Sequence, residues 1–202
     1  KGDLEWKAVR RQMQMVIQDP YESHNPLMNE GEIVAEPLRV HGLAGERSER
    51  ERRITAALED AGLKPADTYI NRRPHELSGG QRQRVAIAAT LVLEPSVILA
   101  DEPVSMLDVS IRAEILNLLG DLRTRRGISI LFITHDLSTV ASFADRVAVM
   151  YLGRIVEIGA VKEVLAQPQH PYTQALLSVV PVPNPLFRRQ RVSLQVETPN
   201  PI

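Results

Sequence analysis

Two short apolar runs joined by a helical segment constrain the fold of this chain more than any other feature. The first run covers residues 97–100 and ends at Asp101 and Glu102, and the second covers residues 128–133. Between them, from about 110 to 126, apolar residues recur with the spacing of one helix face. Strand, helix and strand in this order predict a parallel βαβ unit whose strands are buried on both faces. The chain is therefore predicted to be an α/β protein.

Composition excludes several classes of protein. The 202 residues are enough for one substantial domain, and their apolar runs are far shorter than the roughly 20 residues that cross a bilayer. Basic and acidic residues number 24 and 25, so no whole-chain field favours nucleic acid. The absence of cysteine removes disulfides and thiolate metal sites and fits a reducing compartment. With no signal peptide visible at the start, we expect a soluble cytoplasmic protein.

Further elements are predicted on either side of the βαβ unit from alternation, helical periodicity and turn residues. They are a strand at 13–17, helices over 33–77, after Gln81, near Asp136 and at 173–180, and a hairpin of strands 146–151 and 154–158. Alternating charges over 46–53 favour a solvated helix face with paired charges over a nucleic-acid or partner surface. The proline-rich stretch after the last helix is predicted to form an extended tail.

Leu77-Ser78-Gly79-Gly80-Gln81 directly precedes one of these predicted helices. Unpaired N–H groups in the first turn of a helix, together with the helix dipole, favour an anion there. The glycines let a phosphate approach the backbone closely, and the Ser78 hydroxyl adds a donor. A simple helix cap is the alternative for Ser78-Gly79-Gly80 alone, but the flanking residues favour a phosphate site.

Asp101 and Glu102 close a strand of the predicted sheet, and ligands of open α/β sheets bind beyond such strand ends. A buried carboxylate is costly unless it is paired, and a magnesium ion would pair it. Adjacent side chains point in different directions and can divide the labour. Asp101 is predicted to hold the metal, while Glu102 orients and deprotonates an attacking water. The alternative is that both acids only cap the following loop.

Three further polar residues are candidates by position. His135 closes the next parallel strand, which predicts that it lies at the same rim as Glu102, where it can donate to a γ-phosphate and hold the water in line. A structural histidine is the alternative. Gln18 follows the strand-like segment, and its amide can contact both a metal and a water. Asp108 can cap the helix that starts near Ser110, and capping does not exclude a catalytic role.

One expected element is not in this sequence. No Gly-x-x-x-x-Gly-Lys-[Ser/Thr] loop occurs in the 202 residues, and none of the lysines follows a glycine. The usual primary cradle for nucleotide phosphates is therefore missing from these residues.

Together these residues resemble the ATP-binding subunit of an ABC transporter, over nearly the whole chain. Leu77–Gln81 resembles the family signature, residues 97–102 the Walker B strand and residues 105–108 the D-loop. His135 resembles the switch histidine, and Gln18 the glutamine of the Q-loop. The resemblance implies a P-loop NTPase-like (RecA-like) parallel-sheet core with an inserted helical subdomain.

The same resemblance implies ATP and Mg²⁺ as cofactors and gives each candidate residue a role. The implied catalytic residues are Glu102, His135 and Gln18; the nucleotide contacts are Ser78, Gly79, Gly80, Gln81 and Asp108; the metal ligands are Asp101 and Gln18. Two residues depart from the family pattern: Met106 replaces a usual alanine in the D-loop, and Ala89 replaces a common arginine in the signature helix. Neither change touches a phosphate or metal ligand, so we expect tuning of activity rather than its loss.

Three segments resemble oligopeptide and dipeptide importer subunits in particular. They are Gln18–Tyr21, residues 149–157 and, above all, His170-Pro171-Tyr172-Thr173-Gln174-Ala175-Leu176-Leu177, which we expect to be a structural hallmark rather than a reactive site. The implied partners are membrane-spanning permease subunits, a second ATP-binding subunit and, indirectly, an extracytoplasmic peptide-binding protein, without nucleic acid. The implied location is peripheral, at the cytoplasmic face of the cell membrane.

Two other functions stay open, a non-catalytic fragment that supplies only a signature and a docking surface, and a non-transport ABC ATPase of translation or DNA repair. The net charge and the short interval between Gln18 and Ser78 argue against the second. The cargo, whether dipeptide, oligopeptide, nickel or a sugar-like compound, also stays open.

The resemblance divides the chain into four segments. Residues 1–18 are expected to be the remnant of an N-terminal catalytic core ending in the Q-loop, and residues 19–80 a helical subdomain. Residues 81–160 would hold the Walker B strand and the switch histidine, and residues 161–202 a C-terminal extension. The Walker A loop and an adenine-stacking aromatic residue are expected upstream of Lys1, and a cysteine-containing tail is expected downstream.

Overall fold

The computed structural model describes residues 2–18 and 24–179. These residues form both helices and strands. The helices are α1 (Gly2–Gln12), α2 (Glu30–Val40), α3 (Arg47–Asp60), α4 (Asp67–Ile70), α5 (Gly79–Leu91), α6 (Val109–Arg126), α7 (Leu137–Phe143), α8 (Val161–Ala166) and α9 (Pro171–Ser178), with a short 3₁₀ helix at Pro74–Glu76. The strands are β1 (Met13–Val16), β2 (Val97–Asp101), β3 (Ser129–Ile133), β4 (Arg146–Tyr151) and β5 (Arg154–Ala160).

The chain divides into two compact units, Lys1–Ile133 and Thr134–Ile202. The first unit contains the parallel sheet, and the second, as far as residue 179, contains the β4–β5 hairpin together with α7, α8 and α9. The division into four segments expected from the sequence stays a prediction. Within residues 2–18 and 24–179, none of the helices has both the length and the apolar character needed to cross a membrane.

The sheet of the first unit confirms the predicted βαβ arrangement. Its strand order is β1-β2-β3, and both pairs are parallel. Met15 pairs with Leu99 in β2, and Leu99 pairs with Leu131 in β3. Helix α6 connects β2 to β3, as a parallel pair requires a crossover. Its buried residues recur at helical spacing and are Ile115, Leu118, Leu119 and Leu122.

The prediction that both faces of this sheet are buried is wrong. Val16, Ile98 and Ala100 lie on one face and are almost fully buried. On the other face, Leu131 is 57% exposed and Ile133 is 49% exposed. Among the described residues, the packed helices therefore cover only one side of the sheet, and a continuous apolar run could not reveal this because it is apolar on both sides.

A cluster of helices precedes β2 in the first unit, as the helical pattern predicts. Helix α2 begins with a capping box in which the Asn29 side chain accepts from the N–H of Glu32 at 2.9 Å. Helices α2, α3 and α5 bury their apolar stripes together. The fully buried members include Val34, Leu38, Leu58, Val85, Ile87 and Ala88.

The second unit is built on the predicted hairpin. Strands β4 and β5 pair antiparallel through a turn at Leu152-Gly153, with a register shift between Val149 and Met150. Gly153 has a φ of 74°, the left-handed backbone that favours glycine in tight turns. Helix α8 packs on both strands through the buried Val161 and Val164.

Candidate functional site

The signature-like segment is the start of α5 rather than a loop ahead of it. Ser78 is the N-cap, and its Oγ accepts from the N–H of Gln81 at 3.3 Å. The side chain of Gln81 reaches back and accepts from the N–H of Ser78 at 3.0 Å. This reciprocal capping box starts the helix at Gly79, earlier than the sequence pattern predicts.

Because of this cap, Gly79 and Gly80 occupy the first two positions of the helix. The first N–H groups of a helix have no partner within it. No hydrogen bond from either glycine N–H to another described residue is formed. The two N–H groups and the exposed Ser78 therefore provide donors for an anion at the positive end of a 13-residue helix.

Asp101 and Glu102 lie at the carboxyl end of β2, the central strand of the sheet, and both are half-buried. Strand alternation places Asp101 on the same face as Leu99, the more exposed face. Glu102 has a φ of 47°, and its N–H donates to the carbonyl of Ile133 at 3.0 Å. A left-handed backbone at a residue with a side chain costs about 1–3 kcal/mol, and such strain concentrates at functional sites.

The loop after Glu102, residues 105–108, is tied to the glutamate backbone. Both the N–H and the hydroxyl of Ser105 donate to the carbonyl of Glu102, at 3.2 Å and 3.0 Å. Asp108 takes the predicted N-cap position of α6 and its carbonyl accepts from Arg112, but its side chain makes no capping hydrogen bond. The Asp108 carboxylate is therefore not occupied in capping, and its predicted contact with nucleotide stays a prediction.

Gln18 lies in an exposed bend two residues after β1. Val16, the last residue of β1, pairs with Ala100, directly before Asp101. Parallel strands end at the same edge of a sheet, so Gln18, Asp101 and Glu102 come from adjacent strand ends on one edge. The contact of Gln18 and Asp101 with a common metal stays a prediction.

His135 belongs to the second unit, and its position relative to Glu102 stays a prediction. It is exposed and lies between two residues whose side chains order the backbone. The Thr134 hydroxyl accepts from the N–H of Asp136, and the Asp136 carboxylate caps α7 through Ser138 and Thr139. Burial raises the pKa of Asp136, but the hydrogen bonds from Ser138 and Thr139 outweigh it and leave the pKa lowered.

The donor set around Asp101 fits a magnesium ion better than a metal held by protein alone. Among residues 2–18 and 24–179, no group of three histidine or acidic side chains converges on one point. Magnesium is usually bound through one or two carboxylates together with phosphate oxygens and water. The Asp101 carboxylate and the amide oxygen of Gln18, at adjacent strand ends, are oxygen donors of the kind that could hold such an ion.

His170–Leu177, which resembles peptide importers most, comprises the N-cap of α9 and all but the last residue of that helix. His170 is the N-cap of this helix, and its Nδ1 accepts from the N–H of Tyr172 at 3.1 Å. The ring of Tyr172 packs on that of Tyr151, with centroids 4.3 Å apart. These contacts give the segment a structural role, in line with the expectation from the sequence.

One buried polar pair was not predicted. His24 is 6% exposed and Glu30 is fully buried, with His24 Nδ1 and Glu30 Oε2 3.9 Å apart. Neither the ring nitrogens nor the carboxylate oxygens find a hydrogen-bond partner in the described part of the chain. Burial lowers the pKa of His24 to about 4 and raises that of Glu30 to about 7. A histidine six residues before an acid has no sequence signature, so periodicity could not reveal the pair.

Comparison with known proteins identifies two matching families. The model of the family described as ABC transporter matches residues 2–105, and that of the oligopeptide/dipeptide transporter C-terminal region matches residues 156–202. The chain is 50% identical to the oligopeptide transport ATP-binding protein OppF of Escherichia coli, over 98% of this chain and 59% of the relative. It thus spans about three fifths of the length of such relatives.

Solved structures agree with this relationship. CbiO1 of Clostridium perfringens, part of the ABC transporter complex CbiONQ, has a TM-score of 0.69 and 34% identity, covering 78% of this chain and 61% of that one. The ATP-binding cassette MJ0796, a dimer bound to ADP and Pi, has a TM-score of 0.65 and 31% identity, covering 80% and 68%. Membership of such a family implies nucleotide binding. From its sequence, its parallel sheet and its relatives, the chain belongs to the ABC transporter family.

Proposed function

We propose that the complete protein is the ATP-hydrolysing subunit of an importer for dipeptides or oligopeptides. The observation that carries the proposal is the placement of Asp101 and Glu102 at the carboxyl end of the central strand, with Glu102 in a strained backbone conformation. Support for peptides as cargo comes from the match of residues 156–202 to the oligopeptide/dipeptide transporter region and from the name of the relative OppF.

In this proposal the residues of the sheet edge handle the water and the metal. Asp101 and Gln18 would hold Mg²⁺, which when bound offsets the charge of the nucleotide phosphates. The Glu102 carboxylate takes a proton from the attacking water, and His135 keeps that water in line. The phosphate-binding lysine loop of such a subunit is not among these 202 residues, so the residues described account for only part of the site.

The signature residues would act on a nucleotide held by a second subunit. Ser78 is exposed at the start of α5, and its hydroxyl and the N–H groups of Gly79 and Gly80 would donate to phosphate oxygens. The dimeric cassette bound to ADP and Pi among the similar structures supports a second ATP-binding subunit as partner. Permease subunits in the membrane, and a peptide-binding protein acting through them, complete the proposed assembly at the cytoplasmic face of the membrane.

Steady-state ATP hydrolysis by the complete protein, assembled with its partners, tests this function. Glu102→Gln removes the base but leaves Asp101, so turnover should fall on the order of 10²-fold or more while nucleotide still binds. Glu163→Gln, the same change at an exposed position on α8, should leave turnover unchanged. Near-normal turnover in the Glu102 variant would remove the role assigned to that residue, and an inactive wild-type protein would refute the function.

A further inference from the structure

Gly80 and Ile111 approach each other so closely that a side chain on Gly80 has no room. A Cβ atom at Gly80 would lie 2.6 Å from the Cγ2 atom of Ile111. Cγ2 branches directly from the Cβ of Ile111, so it moves only if χ1 rotates, and β-branched side chains in helices strongly prefer one χ1 state. The first turn of α5 is therefore seated directly on the first turn of α6.

A second contact joins the same helices one turn further along. Nη2 of Arg84 on α5 donates to Oε2 of Glu114 on α6 at 3.0 Å, and Nη1 donates to the carbonyl of Ala61 at 3.1 Å. Arg84 follows Gly80 on α5, and Glu114 follows Ile111 on α6. The two helices therefore run parallel to each other over their first turns. The Glu114 side chain is 57% exposed, so solvent and salt screen this ion pair and weaken it. The constraint on position therefore comes chiefly from the apolar contact.

Helix α6 also holds the loop 105–108 that precedes it. Arg112, the next residue after Ile111, donates from Nη2 to the carbonyl of Leu107 at 3.4 Å. At the other end of the loop, Ser105 is hydrogen-bonded to the carbonyl of Glu102 through both its N–H and its hydroxyl. A continuous set of contacts thus leads from the signature turn, through the start of α6, to the backbone of Glu102.

We propose that Ile111 is a positioning residue, whose branched methyl group sets the distance between the signature turn of α5 and the loop 105–108. Ile111 acts through Gly80 and α6 and does not itself contact nucleotide. The inference rests on the proposed function and on the predicted contact of Asp108 with nucleotide, which together require Ser78 and Asp108 to reach nucleotide from one subunit. The Gly80–Ile111 contact sets the shortest distance between the two turns, because they cannot come closer without displacing Cγ2.

Two substitutions at position 111 distinguish a role in positioning the loop from a general contribution to packing. Ile111→Val keeps Cγ2 and loses only the terminal methyl group, whereas Ile111→Leu keeps all four carbon atoms but loses the β-branch. In the complete assembled protein, the Leu variant should lower kcat for ATP hydrolysis ~10-fold with KM nearly unchanged, because a small misplacement of reacting groups is costly. The Val variant should stay within ~2-fold of wild type, and both should keep a Tm within ~4 °C of it.

A compensating pair provides the second arm of the experiment. Gly80→Ala should lower kcat ~10-fold or more, because its Cβ collides with Cγ2. Adding Ile111→Ala removes Cγ2 and should restore most of that loss. If Gly80→Ala instead blocked the phosphates, the added truncation would restore nothing, and the proposal would be overturned.

The same measurements separate this inference from the function on which it rests. An active wild-type protein with equal kcat in the Leu and Val variants would overturn only the role of Ile111. A wild-type protein without ATPase activity would refute the proposed function and this inference with it.

Discussion

The carboxylate of Glu157 on β5 accepts a hydrogen bond at 3.1 Å from the backbone N–H of His170, the N-cap residue of α9. Its other oxygen accepts from the backbone N–H of Gln169 at 2.9 Å. One carboxylate therefore fastens the start of α9 to the β4–β5 hairpin, in the segment that resembles peptide importers. Glu157, the last residue of the importer-like segment 149–157, therefore holds the start of the second importer-like segment, His170–Leu177.

Replacing Glu157 by Gln should loosen the start of α9. The amide has the same shape but no charge and only one oxygen acceptor, so one of the two backbone bonds is lost. We expect hydrogen exchange at the amides of Gln169 and His170 to become at least about fivefold faster, as for loss of about 1 kcal/mol. Glu163→Gln on the neighbouring α8 should leave both amides unchanged.

The same contact has a predictable dependence on pH. The N–H of Gln169 is the chief cause that lowers the pKa of Glu157 below its ordinary value of 4.5. A lowered pKa in the folded state means that the contribution to stability is present above pH 4.5 and is lost as the pH falls through the folded value. Protection of these amides, corrected for intrinsic exchange, should therefore fall in acid in the wild type but not in Glu157→Gln.

Two substitutions at Ser78 should separate its cap from its proposed contact with phosphate. Ser78→Ala removes the acceptor for Gln81 and should cost about 1 kcal/mol of stability. Ser78→Asp keeps a good N-cap but places a negative charge where phosphate would lie, so stability should be retained while turnover falls ~100-fold or more. Thermal unfolding and steady-state ATP hydrolysis measure the two effects. Full activity in the Asp variant would mean that the nucleotide does not meet α5.

His135→Ala should lower turnover without weakening nucleotide binding much. Removing one donor that holds the reacting groups in a site costs about 10²–10³-fold in kcat. The matched control is His75→Ala, because His75 is an exposed histidine in the short 3₁₀ helix. ATP titration measures nucleotide binding, and steady-state hydrolysis on the same preparations measures turnover. A His135 variant that no longer binds nucleotide would make this histidine structural.

The sequence pattern predicts the helices and strands better than it predicts what packs against them. Strands β1, β2 and β3 and the hairpin were predicted because alternation and apolar runs are local properties. The exposed face of β3 was not predicted, since an apolar run does not specify what covers it. The close approach of Gly80 to Ile111 depends on two helices that meet only in the folded chain. The spacing of residues along the sequence therefore could not indicate it.

The buried pair His24 and Glu30 couples stability to pH in opposite directions. Burial is the chief cause of both shifts, and the nearby charge of Arg82 lowers both pKa values. Glu30, with its pKa raised from 4.5 to about 7, gives stability that is present below pH 4.5 and lost as the pH rises through 7. His24, with its pKa lowered from 6.5 to about 4, gives stability that is present above pH 6.5 and lost as the pH falls through 4.

Single substitutions should therefore show opposite pH trends in Tm. Relative to the wild type, Glu30→Gln should gain stability as the pH rises from 5 to 8, by about 1 kcal/mol or more, because the variant has no carboxyl group to deprotonate. His24→Asn should gain relative stability as the pH falls from 7 to 4. The controls are Glu36→Gln, exposed on the same helix α2, and His75→Asn, and both should run parallel to the wild type. Calorimetry across this pH range is the measurement, and parallel curves for Glu30→Gln and the wild type would show that the buried carboxyl keeps an ordinary pKa.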